Sequence, residues 1–237
     1  MTKRLVSLFM TILMIVSVAT VGVSQTAFAK TKKGVTEYKV TKVDKTKTYK
    51  NGMTAEVFYK KVNLKGSSKA IKKINKVYNK DCNKFLNGKS AKNLYKYAKT
   101  ASKPSSGDPN KYSYTAKSKV KYNKNNIVST SVSTFWFAGG VANTMKYGLT
   151  YNVKTGKKLT LKNACKYSKK QLKNVIKKKL KKKYGSALNQ DYQKYLKNVY
   201  KLPFYITNKN KCVIFFEPYS VAYGGWYTYV TINSKYK

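Results

Sequence analysis

Two hydrophobic rhythms alternate along this chain. Val35 to Val43 and Ala55 to Leu64 read as strands. In the second, Ala55, Val57 and Tyr59, extended by Lys61, fall on one face, with Phe58, Lys60 and Val62 on the other. Asn51-Gly52 between them marks a tight turn, since both residues accept positive φ. Ser67 or Ser68 then caps a helix running to about Asn87. Its apolar stripe is Ile71, Ile74, Val77, Tyr78, Cys82, Phe85 and Leu86, with lysines opposite. A second helical piece follows Gly88, with Ala91, Leu94, Tyr95 and Ala98 on one side. Pro104, Gly107 and Pro109 make Ser102 to Asn110 the clearest loop.

From Lys111 the period becomes two. Tyr112, Tyr114, Ala116, Ser118, Val120 and Tyr122 alternate with polar residues, Asn123 to Asn126 turns the chain, and Ile127 to Phe137 runs back as a strand. Thr144 to Val153 and Lys158 to Leu161 are expected to pair across Thr155-Gly156. Ser168 caps a helix ending near Tyr184-Gly185, with Leu172, Val175, Ile176 and Leu180 as its buried stripe. A short helix over Asp191 to Tyr200 precedes closing strands at Phe204 to Thr207, Cys212 to Phe216 and Trp226 to Ile232. No internal repeat has a fixed period.

The first residues have the rhythm of export instead. Lys3 and Arg4 form a basic start, Leu5 to Val23 is mostly apolar, and Ala27-Phe28-Ala29 is a small-x-small cleavage site. Residues 1–29 are therefore expected to be a signal peptide, with a secreted, extracellular product beginning at Lys30. An uncleaved membrane anchor is the alternative, because the apolar run approaches the ~20 residues a bilayer needs. The remaining chain divides into an N-terminal half (30–103) and a C-terminal half (111–237), expected to fold as one globular unit.

Charge changes the picture most. Without Lys3 and Arg4, the 51 basic residues become 49, all lysine, against seven acids, a mature net charge of about +42 with no histidine. A/T-rich codons raise Lys, Asn and Tyr together, but they do not deplete acids. Like-charge repulsion at this density destabilises a compact chain unless anions surround it. The densest lysines lie on the helix after Ser168: Lys173, Lys177, Lys178, Lys179, Lys181, Lys182 and Lys183 form the candidate polyanion-binding face. Ammonium groups lack the planar fork of arginine, so diffuse, salt-sensitive attraction is expected in place of a shaped phosphate pocket.

Catalysis finds few tools. No two acids are close in sequence, and Glu217, in a Glu-Pro-Tyr loop, is the best single candidate, read here as a structural hydrogen bond or ion pair. A cysteine nucleophile would lack a histidine base, and Ser–Lys pairs are too abundant to be informative. No catalytic residue, metal site or cofactor is assigned. Cys82, Cys165 and Cys212 are read as buried thiols acting as small hydrophobes; Cys165–Cys212 is the pair a disulfide would join. Trp136, Tyr223 and Trp226, with Tyr227, are candidate sugar-stacking residues beside Gly139-Gly140 and Gly224-Gly225. The residues do not suggest sequence-specific nucleic-acid reading.

Several landmarks in order point to a family. Ala138-Gly139-Gly140 is followed by the run Tyr151 to Leu161, then a basic helix, then Leu202-Pro203-Phe204-Tyr205-Ile206-Thr207. Last comes Phe216-Glu217-Pro218-Tyr219-Ser220-Val221-Ala222 with Gly224-Gly225. Together with the strand and helix over Tyr59 to Phe85, this resembles the extracellular domain shared by PdaC-type peptidoglycan deacetylases and RsiV-type anti-sigma factors, from Val35 to Ile232. The resemblance implies an α/β (α+β) fold, a curved, mainly antiparallel sheet packed against two or more amphipathic helices, displayed outside a Gram-positive cell. The deacetylases carry a separate catalytic domain and the anti-sigma factors a sigma-binding segment; neither is expected here. Many members have a histidine shortly after the glycine pair, where this chain has Val141-Ala142.

The expectation is a secreted, lysine-rich, non-enzymatic domain associated with the cell wall. Its partners would be anionic polymers (teichoic acid, peptidoglycan-linked glycans) or an anionic membrane surface. Lysozyme binding, implied by the anti-sigma relatives, is disfavoured because common lysozymes are cationic too. An unrecognised peptidoglycan-modifying enzyme is the remaining alternative.

Overall fold

A computed structural model describes residues 34–104, 107, 110–140, 142–223 and 227–236. The expected signal peptide, Asp108 and Trp226 lie outside the described residues. β1 (Tyr38–Asp44) pairs antiparallel with β3 (Thr54–Leu64), from Tyr38 opposite Leu64 to Asp44 opposite Phe58. A two-residue β2 (Lys47–Thr48) intervenes and also pairs with β3. The Asn51-Gly52 turn therefore closes β2 onto β3. Gly52 adopts φ 82° and its amide donates to the Tyr49 carbonyl at 3.0 Å.

β3 next runs parallel to β4 (Lys111–Lys124). Parallel strands need a crossover, and α1 (Lys69–Asn87) with α2 (Lys89–Thr100) supplies it. β4, β5 (Ile127–Phe137) and β6 (Asn143–Asn152) follow as an antiparallel meander, giving the order β1-β3-β4-β5-β6. Asn125 and Asn126, at φ 52° and 58°, form the β4–β5 turn.

The Ser68 hydroxyl caps α1, accepting from the Ile71 amide at 3.2 Å. Ile71, Ile74, Tyr78, Cys82, Phe85 and Leu86 are buried against the sheet. Val77, expected in that stripe, is 37% exposed. Three-residue steps through Ile71 and Ile74 drift around a helix of 3.6 residues per turn, and the second step, to Val77, leaves the buried face. Asn75 stitches α1 to β3, its side chain accepting from the Leu64 amide at 2.9 Å and donating to its carbonyl at 2.8 Å. Tyr78 reaches Thr130 on β5 at 3.0 Å.

The rest of the chain builds a second core. Tyr151 and Lys158 form an isolated bridge, but Leu161, expected to end a strand, instead begins α3 (Leu161–Ala164), where Thr160 and Asn163 make a capping box. α4 (Lys169–Tyr184) buries Leu172, Ile176 and Leu180. The expected helix over Asp191 to Tyr200 consists of 3-10 turns at Gln190–Leu196 and Val199–Lys201. β7 (Phe204–Ile206), β8 (Lys211–Phe216) and β9 (Thr228–Asn233) form a three-stranded antiparallel sheet. Where one curved sheet is expected, the α+β fold has two open sheets, mainly antiparallel, packed with helices. Cys82, Cys165 and Cys212 are free and buried. Burial pushes the Cys212 thiol up to about 12.

The sheets meet at a close crossing. β7 lies on the face of the large sheet opposite α1 and α2. There the Ile206 amide donates to Ser129 Oγ at 2.8 Å, and that hydroxyl pairs with Thr150 Oγ1 at 2.7 Å. Gly148 makes room: a Cβ there would lie 1.8 Å from the Phe204 carbonyl oxygen. Gly148→Ala is expected to lower stability by about 1–3 kcal/mol, measured by urea unfolding. Gly140→Ala, with nothing within 4 Å of the added carbon, should leave it unchanged.

Candidate functional site

α4 begins at a capping box in which Ser168 Oγ accepts from the Gln171 amide at 3.3 Å and Gln171 Oε1 from the Ser168 amide at 2.9 Å. No acid occurs anywhere in the helix. Lys178, Lys179, Lys181 and Lys182 are exposed, and Lys173 and Lys177 are half-buried. Lys183 behaves differently. Standing seven residues after Ile176 and three after Leu180, it lies in line with the buried stripe and folds over β9. Its ammonium sits 3.5 Å from the Tyr229 ring centroid and donates to the Tyr229 carbonyl at 3.3 Å.

Tyr229 leads to a cleft of about 500 Å³ between the outer face of the large sheet and β9. Phe135 and Met145, 38% and 45% exposed, line one side, and Tyr227 and Tyr229 the other. Lys117 and Lys146 enter it as cations, and among the described residues no carboxylate lines it. Lys146 donates to the Tyr227 hydroxyl at 2.9 Å and lies 4.9 Å from that ring's centroid.

Of the expected sugar-stacking residues that are described, Tyr227 lines this cleft and Trp136 and Tyr223 do not. Alternation along β5 sends Trp136 to the helix side, packed against the first core, while its neighbour Phe135 faces the cleft. Tyr223 is 62% exposed, its amide bonded to the Ala187 carbonyl at 2.8 Å. Sequence reasoning missed Phe135, Lys146 and Tyr229. The period-two alternation of β5 was the signal that distinguishes Phe135 from Trp136.

The carboxylates are scattered. Asp44 pairs with Lys42, Glu37 with Lys65, Glu56 with Lys111 and Asp191 with Lys194, all at the surface, where such pairs contribute little. Glu217 is exposed and makes no ion pair among the described residues. Its backbone carbonyl accepts from Ser220 Oγ at 2.6 Å. Among the described residues, no group of three or more Cys, Asp or Glu is placed to hold a metal.

Asp81 on α1 is the most organised acid. It accepts from Tyr59 of β3 at 2.6 Å and from Tyr147 of β6 at 2.7 Å, spanning β4 and β5. With Lys84, Lys89 and Tyr114 it borders a second hollow of about 320 Å³. Burial, reinforced by neighbouring charge, pushes the Tyr59 and Tyr147 phenols well above their usual range, and burial followed by Asp81 raises Tyr151 to about 12. These groups hold their protons more tightly folded than unfolded, where tyrosine titrates near 10.0. Their stabilising contribution is therefore intact below about pH 10 and is lost as pH rises through the folded values. Absorbance at 295 nm is expected to show a late phenolate phase coincident with loss of near-UV circular dichroism, and Asp81→Asn should move that phase to lower pH.

Residues 50–146 match the family described as "Deacetylase PdaC". No curated protein matches the chain. A DUF3298-family structure from Bacteroides fragilis is 14% identical with a TM-score of 0.59, covering 86% of this chain and 92% of that one. A second, from Pseudomonas aeruginosa, is 15% identical with a TM-score of 0.48, covering 84% and 89%. The Bacteroides structure shares the overall fold, and the segment that matches the PdaC family model runs from the β2–β3 turn into β6.

Proposed function

We propose that the protein is a secreted, strongly cationic, non-enzymatic domain of the cell envelope that engages anionic wall polymers or glycans. The observation carrying this reading is the imbalance of surface charge. The acids are few and mostly paired, whereas α4 presents a lysine face without a single carboxylate of its own. None of the three long helices has an acid in its first turn, and each begins with lysine, the wrong sign for the helix dipole. An external polyanion relieves both penalties at once.

Lysine favours diffuse engagement. Each ammonium is a mobile, strongly hydrated point charge, so affinity comes from their number and from counterion release. Binding of the purified protein to cell walls, with and without teichoic acid, is expected to fall steeply from low to high salt. Flat salt dependence, or equal binding to stripped walls, would overturn the reading. Turnover of wall fragments abolished by Glu217→Gln would mark a catalyst instead. Replacing Lys177, Lys178, Lys181 and Lys182 with glutamine should weaken wall binding several-fold and flatten the salt slope, with the helical circular dichroism unchanged. Lys183 is left in place because it packs on Tyr229.

A further inference from the structure

We infer that the cleft between the two sheets is a binding site for an acidic saccharide, a sugar ring carrying a carboxylate or phosphate. This rests on the polyanion reading and gives it a defined subsite. The two walls supply different chemistry. Tyr227 and Tyr229, with ring centroids 6.4 Å apart, offer aromatic surface to the C–H face of a pyranose, and Phe135 and Met145 add apolar surface opposite. Ser133, Thr115 and Thr144 bring hydroxyls that can bond ring substituents.

Thr144 Oγ1 is buried without a hydrogen-bond partner among the described residues, and its residue lines the cleft. A buried hydroxyl left unpaired is destabilising, and a ligand hydroxyl would satisfy it. The Lys146 ammonium is fixed by one bond to Tyr227 and has two protons left to donate. Lys117 adds a second charge in the cleft, and Lys183 a third behind Tyr229. With no carboxylate among the described lining residues, an anionic substituent meets a net positive field there. The volume, about 500 Å³, falls within the ~300–1,000 Å³ usual for ligand pockets.

Diffuse lysine attraction would hold any polyanion, so the test is run at a salt concentration that suppresses it. Isothermal titration of the protein would use trigalacturonate as the carboxylate probe, glucose 6-phosphate as the phosphate probe, maltotriose as the neutral ring and a dT6 oligonucleotide as the non-saccharide anion. Binding of either acidic sugar is expected, with which of them binds identifying the anion source. Maltotriose should bind at least tenfold more weakly. Lys146→Met and Tyr229→Ala should each lower acidic-sugar affinity about tenfold, whereas glutamine at Lys178 and Lys182 should leave it unchanged while weakening wall binding. If neither acidic sugar binds, or both cleft variants bind like the parent, the cleft assignment falls, even where salt-sensitive wall binding persists. Loss of wall binding with saccharide binding retained would fell the wider polyanion reading alone. Equal or tighter binding of dT6 would overturn the saccharide class.

Discussion

The close crossing of β7 over β6 holds the two halves of this structure together. Without a side chain at Gly148, backbone approaches backbone, and Ser129, itself paired with Thr150, satisfies the Ile206 amide in a buried setting. A buried amide without that partner would be strongly penalised. The crossing also sets the shape of everything beside it. β7 covers part of the outer face, and where that cover ends the sheet meets Tyr227 and Tyr229 across open space. The cleft is thus a product of how the sheets join, and its floor is as rigid as the ladder beneath it.

Against this ordered joint stands a surface of mostly unneutralised charge. Tyrosine softens the conflict at several points, because an ammonium over an aromatic ring is attracted without a counter-ion. Lys47 lies 4.9 Å from the Tyr95 centroid, Lys146 4.9 Å from Tyr227 and Lys183 3.5 Å from Tyr229. In a chain with 22 tyrosines and seven acids, rings take over part of the role that carboxylates usually play at a protein surface. Asp81 shows the converse economy. Its charge is spent inside, where two phenols from strands that do not touch each other converge on it.

Much of the architecture was legible in local pattern. The strands around Asn51-Gly52 and from Lys111 onward, the Ser68 and Ser168 caps and the α4 stripe all lie where periodicity places them. What failed did so for physical reasons. Val77 fits a three-residue step but not the true helical angle, and Leu161 sits in a capping box whose Thr160-Asn163 signal is shorter than the hairpin signal beside it. Parallel pairing of β3 with β4 leaves no mark in either strand. The α4 lysines were visible by count, yet Lys183 belongs to the cleft side because of its angle to Leu180. The cleft itself is assembled from β4, β5, β6 and β9, and no local window contains all four.

The parallel pair has a consequence for how the chain reaches this structure. β3 cannot join β4 until the whole stretch from Lys65 to Asn110 has bent back on itself, so the middle of the large sheet depends on contacts distant in sequence. In this chain each such closure also draws lysine-laden segments together before their compensating contacts exist. Mutual repulsion swells the unfolded coil and slows the search. The ionic milieu in which the protein folds thereby governs its speed of maturation as much as the hydrophobic pattern does.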